Sequence, residues 1–277
     1  MRRRLLKRPR ITRRRFLQAT AAATGLGVAT GLYAWQWEPH WLDLVERPLP
    51  VAHLPDSLVG RRLVQVSDMH IGPRVDDGYL IGAFDRVKAL SPEIVVYTGD
   101  FITDEARIYE HVRAMSVHLP LGRQATLGVL GNHDFGPRWS QAEVADRIVE
   151  LVSAAGVRIL RNEIAEVGGL HIVGMDDLWG GRFDPVRALG RLDPQAAAVA
   201  LSHNPDSADR QGWGDYQGWI LAGHTHGGQC KLPFFPPPIL SVRNRRYISG
   251  EYALAGNRRM YISRGVGHSL KVRFNVR

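Results

Sequence analysis

The stretch Glu93-Ile-Val-Val-Tyr-Thr-Gly-Asp100 carries the pattern on which the fold prediction depends. Its apolar run predicts a β-strand over residues 93–98. A glycine and an aspartate follow at once, and glycine allows a tight turn that a Cβ atom would hinder. Because α/β proteins place ligands in the loops at the carboxyl ends of their strands, Asp100 becomes a candidate site residue.

The same arrangement recurs along the chain. Strand-like runs at 62–67, 93–98, 126–130, 197–201 and 219–221 are each followed directly by a polar cluster. The five clusters are Asp68-Met-His70, Gly99-Asp100, Gly131-Asn132-His133-Asp134, Ser202-His203-Asn204 and Gly223-His224-Thr225-His226. One such cluster alone is typical of an ordinary turn or helix cap. All five in order, each offering Asp, Asn or His, indicate a shared site.

These residue types suit a divalent metal ion. Such ions bind carboxylate oxygen, amide oxygen and imidazole nitrogen. Alternate side chains of an extended segment point the same way, so Asp68 and His70 can reach one ion. His224 and His226 have the same spacing. The set does not distinguish Mn, Fe and Zn.

Helical patterns separate the strands. Residues 77–90 show helical spacing, and Ser140 with Glu143 three residues later predicts a capping box at the start of another helix. The sequence therefore predicts an α/β fold in which two mixed sheets pack face to face with helices outside, a four-layer α-β-β-α sandwich.

Composition limits the function classes. The 277 residues suit one large domain with appendages, and the net charge is +9. The first 15 residues hold nine cations and no acid, so the remaining 36 − 9 = 27 basic residues balance the 27 acidic ones. A neutral domain gives no support for nucleic-acid binding. The single cysteine, Cys230, excludes an intramolecular disulfide and a Cys-rich zinc site, and a thiol beside the site is favoured over a metal ligand.

The N-terminus is predicted to be a targeting segment. Residues 12–18, Thr-Arg-Arg-Arg-Phe-Leu-Gln, resemble the twin-arginine export motif, and residues 16–37 carry no charge. That run is long enough to span a bilayer, and Tyr33, Trp35, Trp37 and Trp41 indicate an interfacial belt. The alternatives are a cleaved signal and a basic start before a buried helix. The predicted division is a signal or anchor at 1–37, a Pro-rich linker at 38–60 and a catalytic domain at 61–277.

The ordered clusters resemble the calcineurin-like metallophosphoesterase superfamily over residues 62 to about 227. The resemblance implies two divalent metal ions. The first would be held by Asp68, His70 and His226, the second by Asn132, His203 and His224. Asp100 would bridge both ions and so take part in catalysis, while His133 would protonate the leaving group or stabilise the phosphoryl charge without being a ligand.

Further segments resemble the small bacterial phosphodiesterases of the YaeI and YkuE type. They are the twin-arginine start, Leu201–Asp206, Gly223–Gln229, Ser263–Gly267 and Asp177-Leu-Trp179. This resemblance implies a monomeric phosphodiesterase that is exported by the twin-arginine translocase and acts at the outer, periplasmic face of the inner membrane on a phosphodiester or lipid-linked phosphate. The alternatives are a UDP-2,3-diacylglucosamine pyrophosphatase in lipid A biosynthesis, a phosphomonoesterase, and a metal-binding scaffold without activity.

The sequence suggests roles for several further residues, most of them with two alternatives. Asp134 is expected either to orient His133 or to form a turn, and Asn204 and Asp206 either to support the site or to cap the next segment. Arg264 is the preferred phosphate-contacting cation. The tryptophans Trp179, Trp213 and Trp219 are expected either to contact the substrate or to pack in the core.

Overall fold

A computed structural model describes residues 12–103 and 108–275. Its helices are α1 (Arg13–Leu32), α2 (Asp77–Ala89), α3 (Tyr109–Ser116), α4 (Ala142–Ala154) and α5 (Pro185–Leu189). Its strands are β1 (Leu63–Val66), β2 (Ile94–Thr98), β3 (Ala125–Val129), β4 (Arg158–Ile159), β5 (Glu163–Val167), β6 (Leu170–Gly174), β7 (Ala198–Leu201), β8 (Trp219–Ala222), β9 (Gly250–Ala253) and β10 (Arg259–Ile262).

The strands form two sheets. The first has the order β1-β2-β3-β4 and is parallel throughout. The second has the order β5-β6-β7-β8-β10-β9 and is mixed, with antiparallel pairs at both edges. Each of the five predicted strands is present within two residues of its predicted bounds.

Three apolar cores hold the layers together. The first lies between the parallel sheet and helices α2, α3 and α4, and Tyr97 and Phe84 are buried in it. The second lies between the sheets, where Val96 and Leu127 meet residues such as Leu201. The third lies between the mixed sheet and α5 with its neighbouring loops. The predicted α-β-β-α sandwich is therefore confirmed, with one of the two sheets purely parallel.

The two sheets are also joined by hydrogen bonds near their carboxyl ends. The Gln65 amide, on β1, donates to the Thr98 hydroxyl at 2.9 Å and to the Ala222 carbonyl at 2.9 Å. This contact connects the ends of β1, β2 and β8. It holds the loops that follow these strands at one edge of the sandwich.

The predicted capping box at Ser140 is wrong. Helix α4 begins at Ala142 with Gln141 as its N-cap, and this cap makes no side-chain hydrogen bond. A tight turn over Pro137–Trp139 precedes it, and the Gln141 N–H donates to the Phe135 carbonyl at 2.9 Å. That backbone contact fixes the entry of the chain into the helix, so a Ser140 cap is not used.

The segment at 38–60 lies against the domain. Leu49, Val51 and Leu54 pack on the core between the sheets, and Leu58 is buried within it. The Trp219 indole N–H donates to the Pro50 carbonyl at 2.9 Å. The segment predicted to be a linker therefore covers one edge of the sandwich.

Helix α1 begins after Thr12, whose hydroxyl accepts from the Arg15 N–H at 3.4 Å. None of its side chains is buried by the part of the chain that the structure describes. Within residues 12–103 and 108–275, no helix combines the length and the apolar character needed to cross a membrane. The Arg and Lys residues among the first eleven positions lie outside the described residues.

Gly174 on β6 allows a close approach between the sheets, so its replacement tests the packing between them. A Cβ atom at Gly174 would overlap the Leu160 Cβ and lie 3.1 Å from the Leu160 Cγ. Gly174→Ala is expected to lower the free energy of unfolding by about 1–3 kcal/mol, as overpacking does. Denaturant titration of the metal-free protein would measure this change.

Gly82→Ala is the matched control, because no described atom lies within 4 Å of a Cβ built on this α2 residue. It should raise the free energy of unfolding by about 0.5–1 kcal/mol through helix propensity. Equal effects of the two substitutions would contradict the packing account.

Candidate metal centre

The seven predicted ligands come together at the carboxyl ends of five strands. Asp68 and His70 follow β1, Asp100 follows β2, Asn132 follows β3, His203 follows β7, and His224 and His226 follow β8. All seven side chains are buried. Six of them, all Asp or His, form two groups whose ligand atoms lie within reach of a common ion. Asn132 is the seventh.

The first group contains Asp68, His70, Asp100 and His226, with one ligand atom of each within 4.8 Å of the others. The Nε2 atoms of His70 and His226 lie 3.0 Å apart. The His226 Nε2 lies 3.5 Å from the Asp68 Oδ1, and the His70 Nε2 lies 3.6 Å from the Asp100 Oδ2. Two carboxylates and two imidazoles thus converge on one point.

The second group contains Asp100, His203 and His224. The His203 Nε2 lies 3.2 Å from the Asp100 Oδ2 and 3.2 Å from the His224 Nδ1. The Asp100 Oδ2 therefore approaches imidazoles of both groups. Asp100 is thus common to both groups, as it is to the two predicted ligand sets, while the assignment of Asn132 to the second set stays a prediction.

Asn132 provides a direct test of whether these residues fit a metal ion. Its side chain is fully buried, yet neither its Oδ1 nor its Nδ2 has a hydrogen-bond partner among the described residues. Buried amides are normally hydrogen-bonded, because an unpaired polar group costs about 1–3 kcal/mol. An ion beside the amide oxygen would satisfy it. The site therefore fits divalent metals that take mixed oxygen and nitrogen ligands.

The backbone around the ligands is strained. Five of the seven have a positive φ, a conformation that costs non-glycine residues free energy and that clusters at functional sites. These five are Asp68 (φ 53°), His70 (φ 49°), Asp100 (φ 54°), His224 (φ 73°) and His226 (φ 50°). These backbone conformations lower the local stability, and they direct the five side chains toward the shared site.

Two glycines allow the strand ends to approach one another. A Cβ atom at Gly131 would lie 2.5 Å from the Asp100 backbone nitrogen and would overlap the Asp100 carboxylate. A Cβ atom at Gly223 would overlap the Ser67 hydroxyl and the Asp68 carboxylate. The glycines that the sequence shows before Asn132 and His224 are thus required by close packing around the ligands.

Hydrogen bonds to the backbone orient two of the imidazoles. The His203 Nδ1 donates to the Thr98 carbonyl at 2.7 Å, which directs its Nε2 toward Asp100. The His224 Nε2 donates to the Ser241 carbonyl at 2.6 Å, which leaves its Nδ1 facing His203. Such contacts fix the ring and the tautomer of a metal ligand.

Burial also sets the protonation of the metal-free site. It lowers the pKa of His70 and of His224 to about 3, so both rings are neutral and can offer a lone pair. Burial favours the neutral form of Asp100, but the neighbouring histidines, His203 foremost with His133 and His70, together outweigh it and hold the pKa of this carboxyl well below its usual range. The same attraction raises the pKa of His203 against the effect of burial.

His133 lies beside both groups and belongs to neither. Its ring is only partly buried, and its centroid lies 5.1 Å from that of His70. Its backbone N–H donates to the Asp100 Oδ1 at 3.0 Å. The shared carboxylate therefore positions the backbone of His133 directly.

Of the two interpretations of Asp134, the structure supports the turn. Its carboxylate accepts from the Gly131 N–H at 2.8 Å and from the Ile102 N–H at 3.1 Å. Burial, reinforced by Asp100, raises its pKa to about 8. Asp134 thus ties the loop after β3 to the loop after β2.

Asn204 caps the segment that follows it, whereas Asp206 supports the site indirectly. The Asn204 side chain accepts from the Asp206 N–H at 3.0 Å, and its amide nitrogen lies 3.4 Å from the His224 Nε2. The Asp206 carboxylate accepts from the Arg243 and Asn244 N–H groups at 2.6 and 2.9 Å. It thereby holds the segment that carries Ser241. The sequence gives no signal for Ser241, because its backbone carbonyl makes the contact.

Trp179 lies at the metal centre, with its ring edge-on to His224 at a centroid distance of 4.6 Å. It stacks on Trp139 at 5.1 Å, a neighbour that sequence reasoning missed. The Asp177 carboxylate holds this loop by accepting from the Trp179 and Gly180 N–H groups at 2.6 and 2.7 Å. Trp213 and Trp219 pack instead in the cores.

Two further candidates belong to neither ligand group. Arg264 pairs with Asp43 of the 38–60 segment at 2.7 Å, so its guanidinium is directed toward that segment. The Cys230 thiol contacts the Val272 carbonyl at 3.6 Å and belongs to neither ligand group. This placement of Cys230 agrees with the expectation that its thiol is not a metal ligand. The expected contact of Arg264 with phosphate gains no support, because its guanidinium pairs with Asp43.

Comparison with known proteins points to metallophosphoesterases throughout. Residues 61–228 match the family model described as calcineurin-like phosphoesterase. The chain is 32% identical to phosphodiesterase YaeI of Escherichia coli, over 96% of each chain. It is 30% identical to the uncharacterized metallophosphoesterase YkuE of Bacillus subtilis, over 96% of this chain and 94% of that protein. It is 27% identical to UDP-2,3-diacylglucosamine pyrophosphatase LpxG of Chlamydia trachomatis, over 92% and 93%.

Asn132→Ala separates a metal ligand from a structural amide. The variant is expected to lose about one of two bound ions, because only the second ligand set contains Asn132. The stability of its metal-free form should not fall, since the amide has no hydrogen bond to lose within the described residues. Elemental analysis and denaturant titration would measure these two quantities.

Asn162→Ala is the matched control. Asn162 is a buried amide outside both ligand groups, and its Oδ1 accepts from the Asp176 N–H at 2.9 Å. This variant should keep both ions and lose about 1–3 kcal/mol of stability. Full metal content in Asn132→Ala would remove Asn132 from the ligand set.

Proposed function

This chain belongs to the calcineurin-like phosphoesterase family, and we propose that it hydrolyses a phosphodiester with the help of two divalent metal ions. The observation that carries the proposal is the shared carboxylate. The Asp100 Oδ2 lies 3.6 Å from a ligand atom of the first group and 3.2 Å from one of the second. One bridging oxygen between two ligand sets is the arrangement that a two-metal hydrolase needs.

The seven side chains divide the work of holding the ions. Asp68, His70 and His226 would hold the first, Asn132, His203 and His224 the second, and Asp100 both. Bound there, the ions would lower the pKa of a water toward neutrality and offset the charge of the phosphoryl oxygens. Mn, Fe and Zn all suit this donor set.

We assign to His133 the role of donating a proton to the leaving oxygen. Its ring lies next to the ligand groups and is partly open to solvent, unlike the seven ligands. The hydrogen bond from its backbone to Asp100 fixes its position relative to the shared carboxylate. A proton donor placed in this way typically contributes about 10²–10⁴-fold to the rate.

The stacked indoles of Trp139 and Trp179 form an aromatic wall beside His133 and His224. Both indoles are partly exposed, so a substrate group can contact them. Trp139 has a positive φ of 56°, which is unusual for a bulky residue and is more common at functional sites. We propose that these two indoles contact the non-reacting part of the substrate.

Similarity favours a diester over a monoester, because one relative that covers nearly the whole chain is named a phosphodiesterase. A UDP-2,3-diacylglucosamine pyrophosphatase is the second candidate, since another relative of similar coverage carries that name. The two differ in the expected compartment. The pyrophosphatase step takes place in the cytoplasm, whereas the twin-arginine-like start favours export by the translocase to the outer face of the inner membrane. Protease accessibility of the domain in spheroplasts would discriminate between them.

Reconstitution with metal tests the proposed activity. The metal-stripped protein should be inactive and should recover activity with Mn, Fe or Zn. The recovered enzyme should hydrolyse a bis-aryl phosphate faster than the corresponding mono-aryl phosphate. Both reactions are followed by the absorbance of the released phenol. A preference for the monoester would favour a phosphomonoesterase, and no activity with any of these metals would favour the scaffold.

His133→Ala tests the assignment of the proton donor. The variant should keep both ions and lose about 10²–10⁴-fold in kcat for a diester with a poor leaving group, with a much smaller loss for a good one. Steady-state kinetics across a series of leaving groups would measure the difference. His118→Ala, which changes a partly exposed histidine outside the ligand groups, is the control and should leave both rates unchanged. Loss of metal from His133→Ala would show that His133 is a ligand.

A further inference from the structure

An exposed apolar loop lies next to the metal centre. It comprises residues 232–240, Leu-Pro-Phe-Phe-Pro-Pro-Pro-Ile-Leu, and is called the apolar loop below. The side chain of Phe234 is fully exposed, and those of Leu232, Phe235 and Ile239 are more than half exposed. Large apolar side chains clustered in this way on a surface mark an interaction site.

The apolar loop is held against the domain by contacts of Pro237 with Arg245 and Gly228. The Arg245 guanidinium donates to the Pro237 carbonyl at 2.8 Å, and Pro237 itself is buried. A Cβ atom at Gly228 would overlap the Pro237 ring, so this proline lies directly against the loop that follows His226. Three consecutive prolines also restrict the backbone. The phenylalanines are therefore presented on a stiff support.

The chain segments that carry and flank the apolar loop contain cations but no acidic residue. Between residues 227 and 250, and again between 252 and 277, the sequence contains no Asp or Glu. The cations of these segments include Lys231, Arg243, Arg245, Arg246 and Lys271. Asp206 and Asp209 approach from the neighbouring loop and bind backbone N–H groups, Asn244 and Tyr247. An anionic surface complements such a rim.

The end of the N-terminal helical segment belongs to the same region. The Arg273 N–H donates to the Ala34 carbonyl at 2.9 Å, and the Lys231 N–H donates to the Phe274 carbonyl at 2.9 Å. The segment 270–274 thus connects residue 34 to the start of the apolar loop. Trp35 and Trp37, which follow Ala34, are exposed, and indoles favour the interface between lipid and water.

We propose that the apolar loop inserts Phe234 and Phe235 into the surface of a lipid bilayer that carries anionic headgroups. Apolar tips surrounded by cations are the combination that binds such an interface. A second copy docked by the same surface would bring two cationic rims together, which favours the bilayer as the occupant. This surface is a property of the domain itself and does not depend on the proposed reaction.

Insertion would place the metal centre close to the lipid headgroups. The Ser241 carbonyl, directly after the apolar loop, accepts from the ring of the proposed ligand His224. Gly228, against which Pro237 packs, follows His226 by two residues. The loop is therefore part of the wall of the site, and a phosphodiester carried by a membrane lipid would meet the site at that surface.

Vesicle binding tests the proposal with the full chain. Phe234→Ser combined with Phe235→Ser should lower the partition coefficient onto vesicles of phosphatidylethanolamine and phosphatidylglycerol by about tenfold or more. Val117→Ser combined with Val186→Ser is the control, because these valines, at the end of α3 and on α5, are comparably exposed, and it should bind like the parent chain. Metal content and circular dichroism should be unchanged in both variants.

A fluorescent label distinguishes the apolar loop from helix α1, which can also associate with vesicles. In a Cys230→Ser background, an environment-sensitive dye on Phe234→Cys should shift to the blue on binding and be quenched by nitroxide lipids. The same dye on Val186→Cys should not respond. High salt, or vesicles of phosphatidylcholine alone, should weaken the response.

Three results would overturn the proposal. The first is a dye at residue 234 that stays in water while the chain is bound to vesicles. The second is equal binding to neutral and anionic vesicles. The third is a lipid-free dimer that the Phe234→Ser and Phe235→Ser substitutions dissociate, which would identify a second copy as the occupant.

Discussion

A carboxylate buried between imidazoles is the constraint on which the structure depends. Asp100 follows the parallel sheet, and its Oδ2 contacts His203, which follows the mixed sheet. A buried charge without a partner would cost several kcal/mol, so this contact exists only while both sheets are in register at their carboxyl ends. The hydrogen bonds of Gln65 to Thr98 and Ala222 hold that register close by. The fold and the site thus share one set of interactions.

The same argument explains how the strained backbone is tolerated. Five proposed ligands with positive φ, together with an Asn132 amide that has no hydrogen-bond partner among the described residues, would destabilise an isolated loop. Here each strained residue follows a buried strand that cannot move independently. Metal binding would recover part of this cost, because an ion that binds only the folded chain stabilises it by mass action. Stability and activity in this family member are therefore coupled through the same residues.

Sequence patterns predicted the five strands of the site and, in the loops that follow them, the seven buried residues that we propose as metal ligands. They did not predict β9 and β10, which form a hairpin at the edge of the mixed sheet and carry fewer buried residues. They also missed Trp139 and Ser241. Trp139 comes close to Trp179 only through tertiary packing, and Ser241 acts through a backbone carbonyl. The Ser140 cap was predicted wrongly because the turn over Pro137–Trp139 sets the start of the helix through the backbone contact of Gln141 with Phe135.

The segment at 38–60 has a consequence for where the folded unit begins. Its residues cover the core between the sheets, and its Pro50 carbonyl accepts from Trp219. A chain trimmed back to residue 61 would lose Leu49, Val51, Leu54 and Leu58 from that core and leave the Trp219 indole without this acceptor. The folded unit therefore begins before residue 61, and the segment at 38–60 is part of the domain rather than a spacer in front of it.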